Sequence, residues 1–434
     1  MKLHFEGARL VDPANGVDRP LDLWVSDGRI AALGVRPEGF RADTVIHARG
    51  RILCPGLVDL SAHPREPGQE HKATIASEAR AAAAGGITTF CCPPDTDPVV
   101  DTPAVVELLR RRAAAADGAR LVPLGALTRG LAGTELSEMA ALAAAGCPGV
   151  AEVRPVADTQ VLRRAMEYAA TFDLAVHLRP EDHWLARGGC VHEGGVAARL
   201  GLPGIPTAAE TAALARDLAL VEETGARVHF CRLSSAAGAR LVAAARERGL
   251  PVTADCAMHQ LFLTESALEG FDGQCHVRPP LRSAEDRAAL RQAVADGVIG
   301  AICSDHQPHE AEAKLAPFPA TAPGISAVDT FLALGLELVR QGVLDLSTLI
   351  DRISTTPAAI LGREAGSLSP GSPADLCLID PDAEWRLTAT AMHSRGHNSP
   401  FLGQTLRGRV EQTWVGGRCV WRHGAGAPRP AGTP

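Results

Sequence analysis

Eight short apolar stretches, with segments of helical character between most of them, constrain this chain more than any other feature. The stretches are 56–62, 87–92, 121–127, 150–153, 174–178, 228–233, 251–258 and 299–304; helical segments include 72–84, 105–116 and 208–223. Strand patterns that alternate with helical ones argue for βα units and a parallel sheet covered on both faces. Eight such units are what a (β/α)8 barrel requires. The expected fold is therefore α/β, a TIM-like barrel over residues 53–364. In such barrels chemistry sits at the C-terminal ends of the strands, so functional residues are sought there.

The two ends of the chain read differently. Residues 8–11 and 21–25 have strand character and are punctuated by Asp12-Pro13-Ala14-Asn15-Gly16 and Ser26-Asp27-Gly28; 374–379 and 410–415 behave alike, and Gly416-Gly417 reads as a hairpin turn. Residues 1–52 and 365–423 are expected to form one small β-sandwich module beside the barrel. Residues 424–434, rich in Pro, Gly and Ala, are expected to be a disordered tail.

Composition excludes several classes of function. At 434 residues, with 46% hydrophobic and 21% charged residues, the chain can bury a large core. A net charge of −7 leaves no electrostatic footprint for nucleic acid or anionic membranes. No uncharged apolar run approaches the ~20 residues of a membrane span, and the N-terminus lacks a signal peptide's apolar region, so a cytoplasmic location is expected. The 11 cysteines include no C-x-x-C pair and read as reduced thiols. By alternation, one of Cys91 and Cys92 points inward and the other toward the helices.

The first stretch leads into Asp59-Leu60-Ser61-Ala62-His63, which reads like a metal-binding Asp-x-His-x-His strand end with one ligand missing. Together with Pro55-Gly56-Leu57-Val58-Asp59, Arg65-Glu66-Pro67-Gly68, Gly85-Gly86-Ile87-Thr88-Thr89, Pro279-Pro280-Leu281-Arg282 and Ser304-Asp305-His306-Gln307-Pro308-His309, it resembles the dihydroorotase signatures of the amidohydrolase superfamily. The resemblance runs from the Val11-Asp12-Pro13 turn to Gly416-Gly417-Arg418. It implies ring closure or opening between carbamoyl aspartate and dihydroorotate. It also implies zinc held by both histidines of the first strand end, an aspartate after the fourth strand, histidines after the fifth and sixth, and an aspartate after the eighth. There the metal acidifies water and a carboxylate moves the proton.

Position by position, the family's ligand set is incomplete. Ser61 replaces the first histidine, while His63 remains. Ala151-Glu152-Val153 stands where the bridging aspartate belongs, with Glu152 a displaced stand-in. Arg179 and Arg232 replace the histidines of strands five and six, and Asp305 is kept. A guanidinium stays protonated and has no lone pair to give a cation. The three lysines, Lys2, Lys72 and Lys314, offer no carboxylated bridge at a strand end. His177, two residues before Arg179, is a weaker ligand candidate. Among the family's substrate contacts, Arg65 and His309 are matched, but Asp95 and Arg278 stand where asparagines are usual.

The expectation is a noncatalytic homologue with no zinc cofactor. Asp305 is a vestigial catalytic residue that pairs with Arg179 or Arg232, and Arg65, Asp95 and His309 are vestigial substrate contacts. His259, His276, His306 and His397 are given loop or packing roles. The resemblance is greatest to the dihydroorotase-like chain that assembles with aspartate carbamoyltransferase in some bacteria. It implies a structural subunit in a hetero-oligomer, a dodecamer of two kinds of chain, with self-association, in de novo pyrimidine synthesis. Two alternatives stay open: an active zinc-dependent dihydroorotase with an altered site, and a regulatory barrel whose Arg65, Arg179 and Arg232 hold a dicarboxylate.

Overall fold

The computed structural model describes residues 1–424, so the tail read over 424–434 lies, from 425 onward, outside the described residues. The chain opens with β1 (Lys2–Asp12), β2 (Val17–Ser26), β3 (Arg29–Leu33), β4 (Thr44–His47) and β5 (Ile52–Pro55). The parallel strands follow: β6 (Leu57–Asp59), β7 (Ile87–Cys92), β8 (Arg120–Pro123), β9 (Gly125–Ala126), β10 (Gly149–Glu152) and β11 (Ala175–Leu178). A two-stranded parallel excursion, β12 (Val191–His192) and β13 (Gly204–Ile205), precedes β14 (Val228–Phe230), β15 (Val252–Ala257) and β16 (Ala301–Cys303). The chain returns through β17 (Leu376–Arg386), β18 (Thr405–Val415) and β19 (Arg418–Arg422).

The terminal strands meet in one eight-stranded sheet, ordered β19-β18-β17-β5-β1-β2-β3 with β4 beside β1. Alternation drives this. Leu3, Phe5, Leu10 and Leu23 from one end of the chain and Leu376, Leu378 and Trp414 from the other share a single apolar core. Phe5 meets Trp414 edge to face, with ring centroids 5.6 Å apart. Ile52–Pro55 belongs to this sheet, because Cys54 and Leu53 pair with Cys377 and Leu378 of β17. The Gly416-Gly417 turn joins β18 to β19 as its sequence suggests.

β6, β7, β10 and β11 are buried at every residue, hence on both faces, as their continuous apolar character requires. The ladders run β6-β7-β8 and β9-β10-β11-β14-β15-β16. The third stretch changes its ladder partner from β7 to β10 at Leu124, which divides it into β8 and β9. A parallel bridge between Ala62 and His306 links the end of β6 to the end of β16. Val58, Cys91, Ala151, Ala257 and Cys303 pack together on the inner face, while Cys92 joins the core under the helices. The two adjacent thiols thus lie on opposite faces.

Local chemistry sets the helix starts. The first helix begins at Ile75 rather than at 72, because Thr74 forms a reciprocal capping box with Ser77. The next begins at Pro103, a residue suited to a first turn. Gly86 sits between the helix Ile75–Ala84 and β7 with φ of 84°; a Cβ there would lie 2.6 Å from Cys377 Sγ, so this turn packs directly on the end sheet. No described helix is long and apolar enough to cross a membrane.

Candidate functional site

The C-terminal ends of the parallel strands gather a group of buried charged side chains. Asp59, at the end of β6, accepts a hydrogen bond from Ser304 N at 2.8 Å and another from Ser61 N at 3.3 Å. Burial pushes its carboxyl up to about 6 despite those bonds. Asp59 so ties the first strand end to the eighth and fixes the backbone that carries Ser61 and His63. The Ser61 hydroxyl is buried without a partner. His63 Nδ1 lies 3.1 Å from Asp95 Oδ1, and its Nε2 is buried without a partner. Burial alone would raise the Asp95 carboxyl, but His63, Arg65 and Arg232 hold it well below the usual carboxylate range.

Arg65 Nε donates to Pro308 O at 3.2 Å, and Nη2 lies 3.1 Å from His309 Nε2. Burial, with Arg65 and Lys72 nearby, lowers His309 to about 2, so the ring is neutral. After β11, Arg179 Nη2 approaches Glu181 at 3.4 Å, while Arg278 grips the same carboxylate with two bonds of 2.8 Å. Arg179 Nε has no partner, and burial among other guanidinium groups lowers its pKa to about 10.

Arg232, after β14, donates its backbone N–H to Asp255 at 2.6 Å and Nη1 to Asp305 at 2.8 Å. Both partners are buried, at 5% and 1% exposure. Burial opposes the charge on Arg232, but Asp305 outweighs it and raises the guanidinium pKa. Of the two pairings open in the sequence, the structure forms Arg232 with Asp305, and Arg179 turns to Glu181. Arg65, Arg232 and Asp305 all have positive φ, at 62°, 59° and 48°. Such backbone costs roughly 1–3 kcal/mol per residue and tends to mark strand ends shaped for a site.

Glu152 does not join this group. Thr128 Oγ1 donates to it at 2.6 Å, and burial raises its carboxyl to about 7. His306 contacts Glu78 at 2.7 Å and His276 contacts Thr321 at 2.8 Å, both as packing groups. His259 is buried and lowered to about 4 by that burial, and His397 is exposed.

The donor set does not fit a two-zinc centre. At the sixth-strand position a guanidinium is bonded to Asp305, the retained carboxylate, and at the fifth a second guanidinium faces Glu181. Neither offers a lone pair, and both repel a cation. His63 Nε2 is the family-position donor that remains unengaged among the described residues. Space beside His63, Arg65 and Asp95 amounts to about 10 Å³, room for one water.

Sequence reasoning missed His229. Its Nε2 lies 2.9 Å from Asp255 Oδ2 and its Nδ1 lies 2.8 Å from Thr253 Oγ1. It is also the register partner of His177. In the sequence His229 stands alone in an apolar strand, and only the register of the neighbouring strand brings Thr253 and Asp255 to it.

Known proteins share this architecture. A family model described as Dihydro-orotase-like matches residues 50–237, and one described as Amidohydrolase family matches 318–421. The chain is 51% identical over 418 residues to a dihydroorotase-like protein of Pseudomonas putida, covering 96% of this chain and 98% of the relative. It is 45% identical over 421 residues to a dihydroorotase of Anaeromyxobacter dehalogenans, covering 96% and 97%. The solved L-hydantoinase of Arthrobacter aurescens superposes with a TM-score of 0.88 at 25% identity, covering 98% of this chain and 96% of that one. Fold, strand-end motifs and relatives agree, and the chain belongs to the dihydroorotase-like family of the amidohydrolase superfamily.

Proposed function

We propose that this chain is a noncatalytic dihydroorotase homologue. In this reading its eight parallel strands close as a (β/α)8 barrel flanked by a β-sandwich built from both chain ends. The barrel serves as a structural subunit that braces aspartate carbamoyltransferase catalytic chains into a cytoplasmic hetero-oligomer, a dodecamer, in de novo pyrimidine synthesis. The observation that carries the noncatalytic part is the buried bond between Arg232 and Asp305. It puts a fixed positive charge where the family places a zinc ligand, and it occupies the carboxylate the chemistry would use. The scaffold part rests on the likeness to dihydroorotase-like relatives.

The test is turnover. The purified chain, with zinc added, is assayed for ring opening of dihydroorotate and for ring closure of carbamoyl aspartate. Background rates in both directions are expected, and turnover above background overturns the noncatalytic reading. Co-expression with the transferase chain should then give one large species on sizing; separate elution removes the scaffold role.

The name dihydroorotase on relatives 41–45% identical supports a second reading, an active zinc-dependent enzyme with an altered site, and the same assay decides it. A regulatory barrel holding a dicarboxylate draws less support, because Arg232 is already bonded to Asp305 and Arg179 faces Glu181.

A further inference from the structure

A second group of ligand-type side chains lies one step below the strand-end edge. His177 on β11 and His229 on β14 are register partners. Cys231 follows His229 at the i+2 position, so the three side chains face the same side of the sheet. One ligand atom from each lies within 4.8 Å of the others, and the two imidazole centroids are 5.1 Å apart. Asp255 and Thr253 account for the orientation of His229. They do not account for a second buried imidazole beside it, nor for the thiol that completes the triangle.

We propose that His177, His229 and Cys231 form a mononuclear site for a thiophilic divalent cation, zinc, which straps β11 to β14 beneath the edge. Two imidazoles and a thiolate are a donor set that zinc accepts in tetrahedral coordination, with one position left for water. On binding, the Cys231 thiol releases its proton to solvent and the sulfur lone pair goes to the metal. One of the two His229 hydrogen bonds gives way. The Asp255 carboxylate beside His229 resembles the outer carboxylates that orient metal-bound histidines. A cavity of about 370 Å³ at the N-terminal ends of the strands, lined by Ala175, Pro251, Thr253 and Thr356 among others, is bounded by His229.

This site is separate from the positions the family uses for its metals. His177 and Cys231 precede Arg179 and Arg232 along the chain, and none of His177, His229 and Cys231 stands at a ligand position of the family, so the role assigned to this zinc is structural. Metal content and dihydroorotase turnover are thereby independent, and a zinc-bearing but inactive chain satisfies both this proposal and the noncatalytic reading.

The experiment strips the full-length chain with chelator, titrates it with cobalt(II), and follows thiolate-to-cobalt charge-transfer absorption and bound cobalt after desalting. One cobalt per chain with that absorption, displaced by zinc, is expected. Cys231→Ser should abolish the absorption, and His177→Ala should weaken binding roughly tenfold or more. His63→Ala, at the strand-end position, should change neither, and circular dichroism verifies that each variant is folded. Wild-type chain without stoichiometric cobalt or without the absorption overturns the proposal, a reading that needs no variant. So does an absorption that survives Cys231→Ser, or binding lost on His63→Ala and kept in His177→Ala.

Discussion

In the end sheet Phe5 meets Trp414 edge to face at 5.6 Å among uncharged side chains, whereas at the strand-end edge Arg232 meets Asp305 at 2.8 Å with equally little water. Both contacts join parts of the chain far apart in sequence, and both are buried. The end sheet is stabilised by apolar area removed from water, so each side chain contributes in proportion to what it covers. A buried ion pair contributes little net stability, since desolvation offsets attraction, yet removing one partner strands the other. The same fold therefore contains a region that tolerates graded change and a region that tolerates only balanced change.

The largest expected effect separates them directly. Arg232→Ala leaves Asp305 buried without its cation and should cost about 3–5 kcal/mol in urea unfolding. Replacing both partners, Arg232→Met with Asp305→Leu, should recover most of that loss. A single-variant cost under about 1 kcal/mol would mean the edge is wet and the contrast false. In the end sheet, Phe5→Ala should cost about 3 kcal/mol, and no second change at Trp414 should restore it.

A pH series sharpens the same contrast. Burial raises Glu152 from 4.5 to about 7 and Asp59 from 3.8 to about 6. A carboxyl with a raised folded-state pKa binds its proton more tightly when folded, so its contribution favours the folded state at low pH and declines as pH rises through the shifted value. Glu152→Gln should therefore flatten the fall in urea midpoint between about pH 4.5 and pH 7; an unchanged slope assigns it to other groups. Phe5 and Trp414 carry no titratable side chain, so Phe5→Ala should shift the midpoint equally at all pH values.

The smallest effect tests whether the edge depends on local backbone as well as on charge. Ser235, three residues past Arg232, caps the helix Ala236–Glu247 by accepting from Gly238 N at 3.0 Å. Ser235→Ala should cost about 1 kcal/mol in thermal or urea unfolding, without the rescue pattern of the ion pair. A loss as large as that of Arg232→Ala would make capping, rather than charge balance, the feature that holds this strand end.

Much of the fold was legible because parallel strands announce themselves as apolar runs. Ile87–Cys92 falls where its apolar run does, β11 ends with its expected stretch at Leu178, β8 and β10 each begin one residue early, and most of the strands end before their expected stretches do. They end early because 61–63, 231–234 and 304–306 bend away from the ladders to present side chains and satisfy Asp59, Asp255 and Glu210. Hydrogen-bond partners of that kind have no local signature. The site was legible as a set of residues, through motifs that place Ser61, His63, Arg179, Arg232 and Asp305 at strand ends. His229 was not, since an isolated histidine in an apolar strand carries no motif.

By itself the sequence determined which residue types stand at each strand end, and with them the chemistry those positions can offer: a guanidinium has no lone pair wherever it is placed. Only the tertiary structure decided the pairings. Asp305 could have met Arg179 or Arg232, and it meets Arg232 because that arginine's backbone is held by Asp255 on the neighbouring strand while Glu181 draws Arg179 aside. His177 and His229 became neighbours for the same reason, a strand register set by packing between two distant stretches of the chain. Residue identity is local information, but electrostatic partners are chosen by distance in space, and that distance exists only once the sheet is assembled.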